Sequence, residues 1–174
     1  MKFLVIFSCF LFSFTHIWSE PSECEDSISV YIFMLEDCVI SQYYTLSLKE
    51  LYHEFASEQI HFVGVFPNRF SSPETIAAFK SEYDLPFELK YDYYQSLSRK
   101  MGATVTPEVV VFDHAREAIL YKGRIDNTFF QLGKRRQVTT QYELKAVLQA
   151  IKEKKSIAIK NTTAVGCFIK YEKD

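Results

Sequence analysis

The sequence predicts an α/β domain with a central mixed sheet flanked by helices, and three observations lead there. Two apolar runs of strand length, ISVYIFML at 28–35 and IHFVGVF at 60–66, are rich in β-branched and aromatic residues, as strands buried on both faces should be. Each is followed by a stretch of helical periodicity, and strand, helix, strand, helix implies parallel pairing through crossovers. Further on, strands at roughly 108–113 and 117–122 are joined by the tight polar link His114, Ala115, Arg116, a β-hairpin signature that adds antiparallel pairs.

Taken in order, the chain begins with Met1, Lys2 and the apolar block FLVIFSCFLFSF. One positive charge, a short apolar block and a small residue at Ser19 predict a signal peptide over 1–19 that directs export to a periplasmic or extracellular compartment. The block is too short to span a bilayer, which takes about 20 apolar residues, so membrane contact is expected only through an uncleaved signal. Residues 20–27 read as a loose, acidic mature N-terminus. After the first strand, Leu48, Leu51, Tyr52 and Phe55 fall on one helical stripe. Following the second strand, Ser72 can cap a helix that has Pro73 at its first position and Glu74 favouring the dipole. FELKYD at 87–92 suggests a short strand, and YQSLSRKMG a helical turn closing at Gly102. QYELKAVLQAIKEKK at 141–155 is a last amphipathic helix with Leu144, Val147, Leu148 and Ile151 on one face. The expected domain is 28–155, with 156–174 as a C-terminal tail.

With 174 residues, 48% of them apolar and 16% aromatic, the chain is long enough for one sizeable core. Five Gly and five Pro leave little material for an interdomain linker. A formal net charge of -2 without long runs of one sign gives no electrostatic case for nucleic acid.

Export would make disulfides permissible. Once Cys9 leaves with the signal, Cys24, Cys38 and Cys167 remain, an odd number, so at least one thiol is free, pairs transiently or bonds another chain. Cys38 stands at the junction of the first strand and the first helix. Its flanking acids Glu36 and Asp37 predict an exposed position and would raise its pKa.

Strand, cysteine-bearing turn, helix, strand, helix, Thr106-Pro107, hairpin and closing helix is the order of parts in which this sequence resembles the thioredoxin-like redoxins. More narrowly, it is similar to exported bacterial redoxins near the alkyl hydroperoxide reductase and thiol-specific antioxidant branch. The resemblance rests on DCVISQYY, GATVTPEVVVFD, YKGRID followed by LGKRRQVTT, and the late TTAVGC. It implies a thioredoxin-like fold with Cys38 as nucleophile at a helix N-terminus, where unpaired N–H groups and the dipole favour a thiolate. It also implies a cis Pro107, with the Thr106 backbone facing the cysteine and free to pair with an extended substrate segment.

Two departures from the family pattern shape the chemistry. The motif is CVIS, with Ser41 where a dithiol oxidoreductase carries its second cysteine, so a mixed disulfide at Cys38 needs another thiol for its resolution. Cys167 is the candidate resolving thiol. Pairings of Cys38 with Cys167, Cys24 with Cys167 and Cys24 with Cys38 all stay open at this point, as does an all-free state. Antioxidant peroxidases carry P-x-x-x-T-x-x-C, and the matching positions here are Tyr31 and Leu35, which disfavours efficient peroxide chemistry.

The remaining polar candidates are weaker. His53, His61 and His114 lie in different elements, and neither metal nor cofactor is expected. GRID (Gly123 to Asp126) and GKRR (Gly133 to Arg136) suit an anionic substrate or the orientation of Cys38, with solvated or structural ion pairs as the more ordinary role. Glu108 and Asp113 read as edge and turn residues. Asn161-Thr162-Thr163 fits the N-glycosylation pattern. The leading expectation is an exported thiol oxidoreductase acting on a thiol or disulfide protein partner or a small thiol. A non-catalytic module binding an extended partner at the Pro107 edge is the alternative, and a weak thiol peroxidase the third.

Overall fold

In the computed structural model, residues 27–171 are described. The signal peptide expected over 1–19, Cys9 and Cys24 lie outside them.

The two apolar runs form β1 (Ile28–Phe33) and β2 (Ile60–Phe66), parallel to one another, and β3 (Glu88–Tyr91) adds in parallel beside β2. The crossovers are α1 (Val39–Phe55) and α2 (Pro73–Glu82). After α3 (Ser96–Met101) and a two-residue strand β4 (Val105–Thr106), the hairpin β5 (Glu108–Asp113) and β6 (Ala118–Gly123) returns antiparallel to β1. The resulting mixed sheet has the order β3-β2-β1-β5-β6.

Period-two alternation divides the core between the two faces of this sheet. Val30 and Ile32 of β1 and Val109 and Val111 of β5 pack with Ile40, Tyr44 and Leu48 of α1, Ile76 and Phe79 of α2, and Leu144 and Leu148 of α4 (Glu143–Lys152). Phe33, Val110 and Phe112 point the other way and pack with Met101 and Ala103. Leu48, Leu144 and Leu148 have no exposed surface, and burial of such side chains contributes about 1.5–3 kcal/mol each.

Local chemistry sets the element ends. Ser72 caps α2 by accepting from the Thr75 N–H, while the Thr75 hydroxyl accepts from the Ser72 N–H, with Pro73 at the first turn. Gly102 closes α3 in the left-handed region at φ 63. The last helix is shorter than its sequence pattern, ending at Lys152 with Lys154 at φ 54. Strand β6 begins one residue late because Glu117, at φ 47, belongs to the turn.

Two features escape the sequence pattern. A small hairpin of β7 (Phe129–Gln131) and β8 (Lys134–Arg135) follows β6. The segment after α4 is also no loose end. It runs along β6, where Lys122 N donates to Lys160 O and Lys122 O accepts from Thr162 N on either side of Asn161, and ends in β9 (Cys167–Phe168), antiparallel to β4. We call residues 160–171 the strap.

Candidate active site

Cys38 occupies the N-cap of α1, with extended backbone at φ -86, ψ 109, and its carbonyl accepts the first helical bond from Gln42 N at 2.9 Å. No acidic residue lies in the first turn of α1 itself, and the unpaired N–H groups and dipole at that end favour an anion. Opposite it, Thr106-Pro107 is cis. The Cys38 thiol donates to the Thr106 carbonyl at 3.1 Å.

The strap lies across this junction. Cys167 pairs with Thr106 and Phe168 with Val105, and Ile169 N donates to Thr104 O at 3.0 Å. The register brings the Cys167 Sγ to 2.8 Å from the Cys38 Sγ, with Cys167 as donor and both thiols free. Gly166 makes the approach possible, since a Cβ there would stand 2.1 Å from the Thr106 carbonyl oxygen.

Anchors hold both ends of the strap. Thr162 Oγ1 lies 2.7 Å from the Tyr121 hydroxyl, which itself donates to Arg124 O at 2.6 Å, and accepts from Arg124 N at 3.1 Å. Gly123, at φ 148, leaves the space that Thr162 fills. Beyond the cysteine, Gln95 Nε2 donates to Lys170 O at 2.9 Å and the Tyr171 hydroxyl to Ala103 O at 2.7 Å.

The expected exposure of Cys38 is corrected by this arrangement. Its relative exposure is 0%, whereas Cys167 is only partly buried. The flanking acids misled because Glu36 turns away, accepting from Ser71 Oγ at 2.7 Å and Thr75 Oγ1 at 2.8 Å. Burial pushes the Cys38 thiol up, but donation from the Cys167 thiol and from backbone N–H groups of Ser41, Cys167 and Ile40 outweighs it, leaving the pKa below the ordinary 9.0. Burial first, then donation to Cys38 and its charge, push Cys167 up to about 11. Of the two thiols, Cys38 is therefore the one that ionises first.

The other candidates fall elsewhere. Glu108 is no edge residue. It is 4% exposed within β5, which lies between β1 and β6, and it accepts from Thr104 N at 2.6 Å. Asp113 is a buried turn residue bound by Arg116. Arg124 donates from Nε to Glu143 Oε1 at 2.9 Å and Asp126 accepts from the Tyr44 hydroxyl at 2.6 Å, which ties a loop to two helices, and Arg136 donates to Asn127 O at 2.6 Å within the loops, so these groups hold the loops in place rather than orient a thiol. His114 lies 2.8 Å from Ser29 Oγ. Among the described residues no three His, Cys, Asp or Glu side chains converge as metal ligands.

No protein-family model and no curated protein matches the sequence. Solved structures do. An uncharacterized conserved protein from Geobacillus kaustophilus superposes with a TM-score of 0.73 at 23% identity, over 86% of this chain and 79% of its own. A hypothetical protein from Sinorhizobium meliloti gives 0.73 at 22%, over 86% and 83%. A secreted Mycobacterium tuberculosis disulfide oxidoreductase homologous to E. coli DsbE gives 0.54 at 16%, over 74% and 84%. The fold is thioredoxin-like. At these identities the likeness is one of architecture, and within it the strap-borne cysteine takes the place beside the cis-proline that the resemblance reserves for an extended substrate.

Proposed function

We propose that the protein is an exported thiol-disulfide oxidoreductase whose redox centre is the Cys38–Cys167 pair. The observation that carries this reading is the 2.8 Å separation of the two sulfurs. A disulfide needs a bond of about 2.05 Å, and the β4–β9 pairing seats Cys167 opposite Thr106, the residue whose carbonyl the Cys38 thiol meets. The reaction is exchange between this dithiol and an external disulfide: once the strap lifts, the Cys38 thiolate attacks a sulfur of the partner, the partner's other sulfur leaves as a thiol, and Cys167 attacks Cys38 to release the second. The protein ends as a disulfide and the partner as two thiols, and the cycle runs equally in reverse.

Export fits this chemistry, because structural and catalytic disulfides persist in oxidising compartments. Binding of an extended partner at the Pro107 edge without chemistry has less support, since the strap fills that edge. A peroxidase role has less still. Leu35 stands where the antioxidant motif carries a peroxide-binding hydroxyl, and its own N–H turns to Ser41 Oγ at 3.3 Å.

Equilibration against graded mixtures of reduced and oxidised glutathione tests the reading. The expected result is a two-electron transition in which two thiols disappear together, absent from Cys167→Ser. Two thiols that survive the most oxidising mixture would overturn it.

A further inference from the structure

Resting on that reading, we propose that small external thiols meet this centre at Cys167 on the strap, and that Cys38 exchanges only with Cys167 while the strap is seated. Thiol-disulfide exchange proceeds in line: the incoming thiolate approaches one sulfur from the side opposite the sulfur that leaves. Cys38 has no exposed surface and is packed in the core cluster with Ile40 and Tyr44. Its remaining approach, along the Thr106 edge, is filled by Gly166 and Cys167. Cys167 keeps part of its surface, and the next residue, Phe168, is 80% exposed. The route from solvent to the disulfide therefore ends on Cys167.

The leaving group agrees with this direction. When a thiolate RS⁻ attacks Cys167, the new bond joins R–S to Cys167 Sγ, the Cys38–Cys167 bond breaks, and its electron pair leaves on Cys38. That sulfur is the better leaving group because backbone N–H groups of Ile40 and Ser41 hold its negative charge. A second RS⁻ then attacks the R sulfur of the mixed disulfide, and Cys167 departs and takes a proton from water. Two thiols become one RSSR and the protein disulfide becomes two thiols. The helix-borne cysteine acts as an internal electron store and the strap cysteine as its port, so an extended protein segment that needs the Thr106 edge is excluded until the strap lifts.

The full chain, oxidised and freed of oxidant, is given limiting glutathione, quenched within seconds in denaturant containing excess iodoacetamide, and its peptides mapped. The expected adduct is glutathione on Cys167 with carbamidomethyl on Cys38, exceeding the reverse arrangement by about tenfold or more, as exposure and leaving-group strength require. Glutathione found mainly on Cys38, or a Cys38–Cys167 disulfide that yields no adduct on Cys167, overturns the proposal and leaves the redox pair standing. Two unreacted thiols after the oxidation step overturn the pair itself, and the proposal with it.

Discussion

Cys167 donates its thiol proton to the Cys38 sulfur across 2.8 Å, and the same residue pairs its backbone with Thr106, the residue before the cis-proline. One short strand thus delivers a second thiol to the N-cap of α1 and closes the edge beside it.

The two cysteines should fail differently. Cys38→Ser is expected to reduce disulfide exchange to the level of a variant lacking both cysteines. Cys167→Ser retains the Cys38 thiol but cannot resolve, so with an external disulfide it should accumulate a mixed disulfide on Cys38 once the strap opens. Intact-mass measurement separates these outcomes.

The ionisations of the pair set a pH signature. The Cys38 pKa is lowered and that of Cys167 raised to about 11 from 9.0. Ultraviolet titration of the reduced protein should show one thiolate forming below pH 9.0 and the other only near 11. Cys167→Ala should move the first titration upward, because Cys167 gives the largest of the lowering hydrogen bonds. The effects on stability have opposite signs. The contribution of Cys38 is present above 9.0 and lost as pH falls through its folded value, whereas that of Cys167 is present below 9.0 and lost as pH rises through about 11.

Gly166→Val places a side chain against the Thr106 carbonyl, where even a Cβ would stand at 2.1 Å. Overpacking of this kind costs about 1–3 kcal/mol. Because the contact belongs to the strap, most of that cost should be relieved by lifting β9. The expected outcome is a small fall in Tm together with alkylation of Cys38 much faster than in the wild type.

Arg124→Ala removes the partner of Glu143, a carboxylate only 3% exposed. One Glu143 oxygen already lacks a partner, so the variant would bury a charge with little compensation. The expected loss is about 3 kcal/mol, the low end for a buried pair because the Arg124 side chain keeps 25% exposure. Chemical denaturation measures it, and Arg124→Lys should recover part of the loss.

Much of this architecture is legible in the sequence because its signals are local. The apolar runs of β1 and β2, the Ser72–Pro73 start of α2 and the His114 link each carry their own reason to form. The burial of Cys38 is not legible. Its neighbours Glu36 and Asp37 are acidic, and nothing near them reveals that a strand from the end of the chain arrives on top. Strand β9 has only two residues, too few for period-two alternation to register, and its position depends on a glycine's missing side chain and on the Tyr121–Thr162 contact. The role of Glu108 is hidden for a similar reason: its partner is the backbone N–H of Thr104, on the far side of Pro107, and a backbone group leaves no mark in the sequence.

The most direct measurement is mass spectrometric mapping of non-reduced peptides from the purified protein, prepared without reductant and compared before and after a brief pulse of oxidant. The redox-pair account predicts a Cys38–Cys167 link that forms on oxidation and is reversed by a dithiol. Cys38 recovered as an unreacted thiol in both samples, or linked to Cys24 instead, would contradict it.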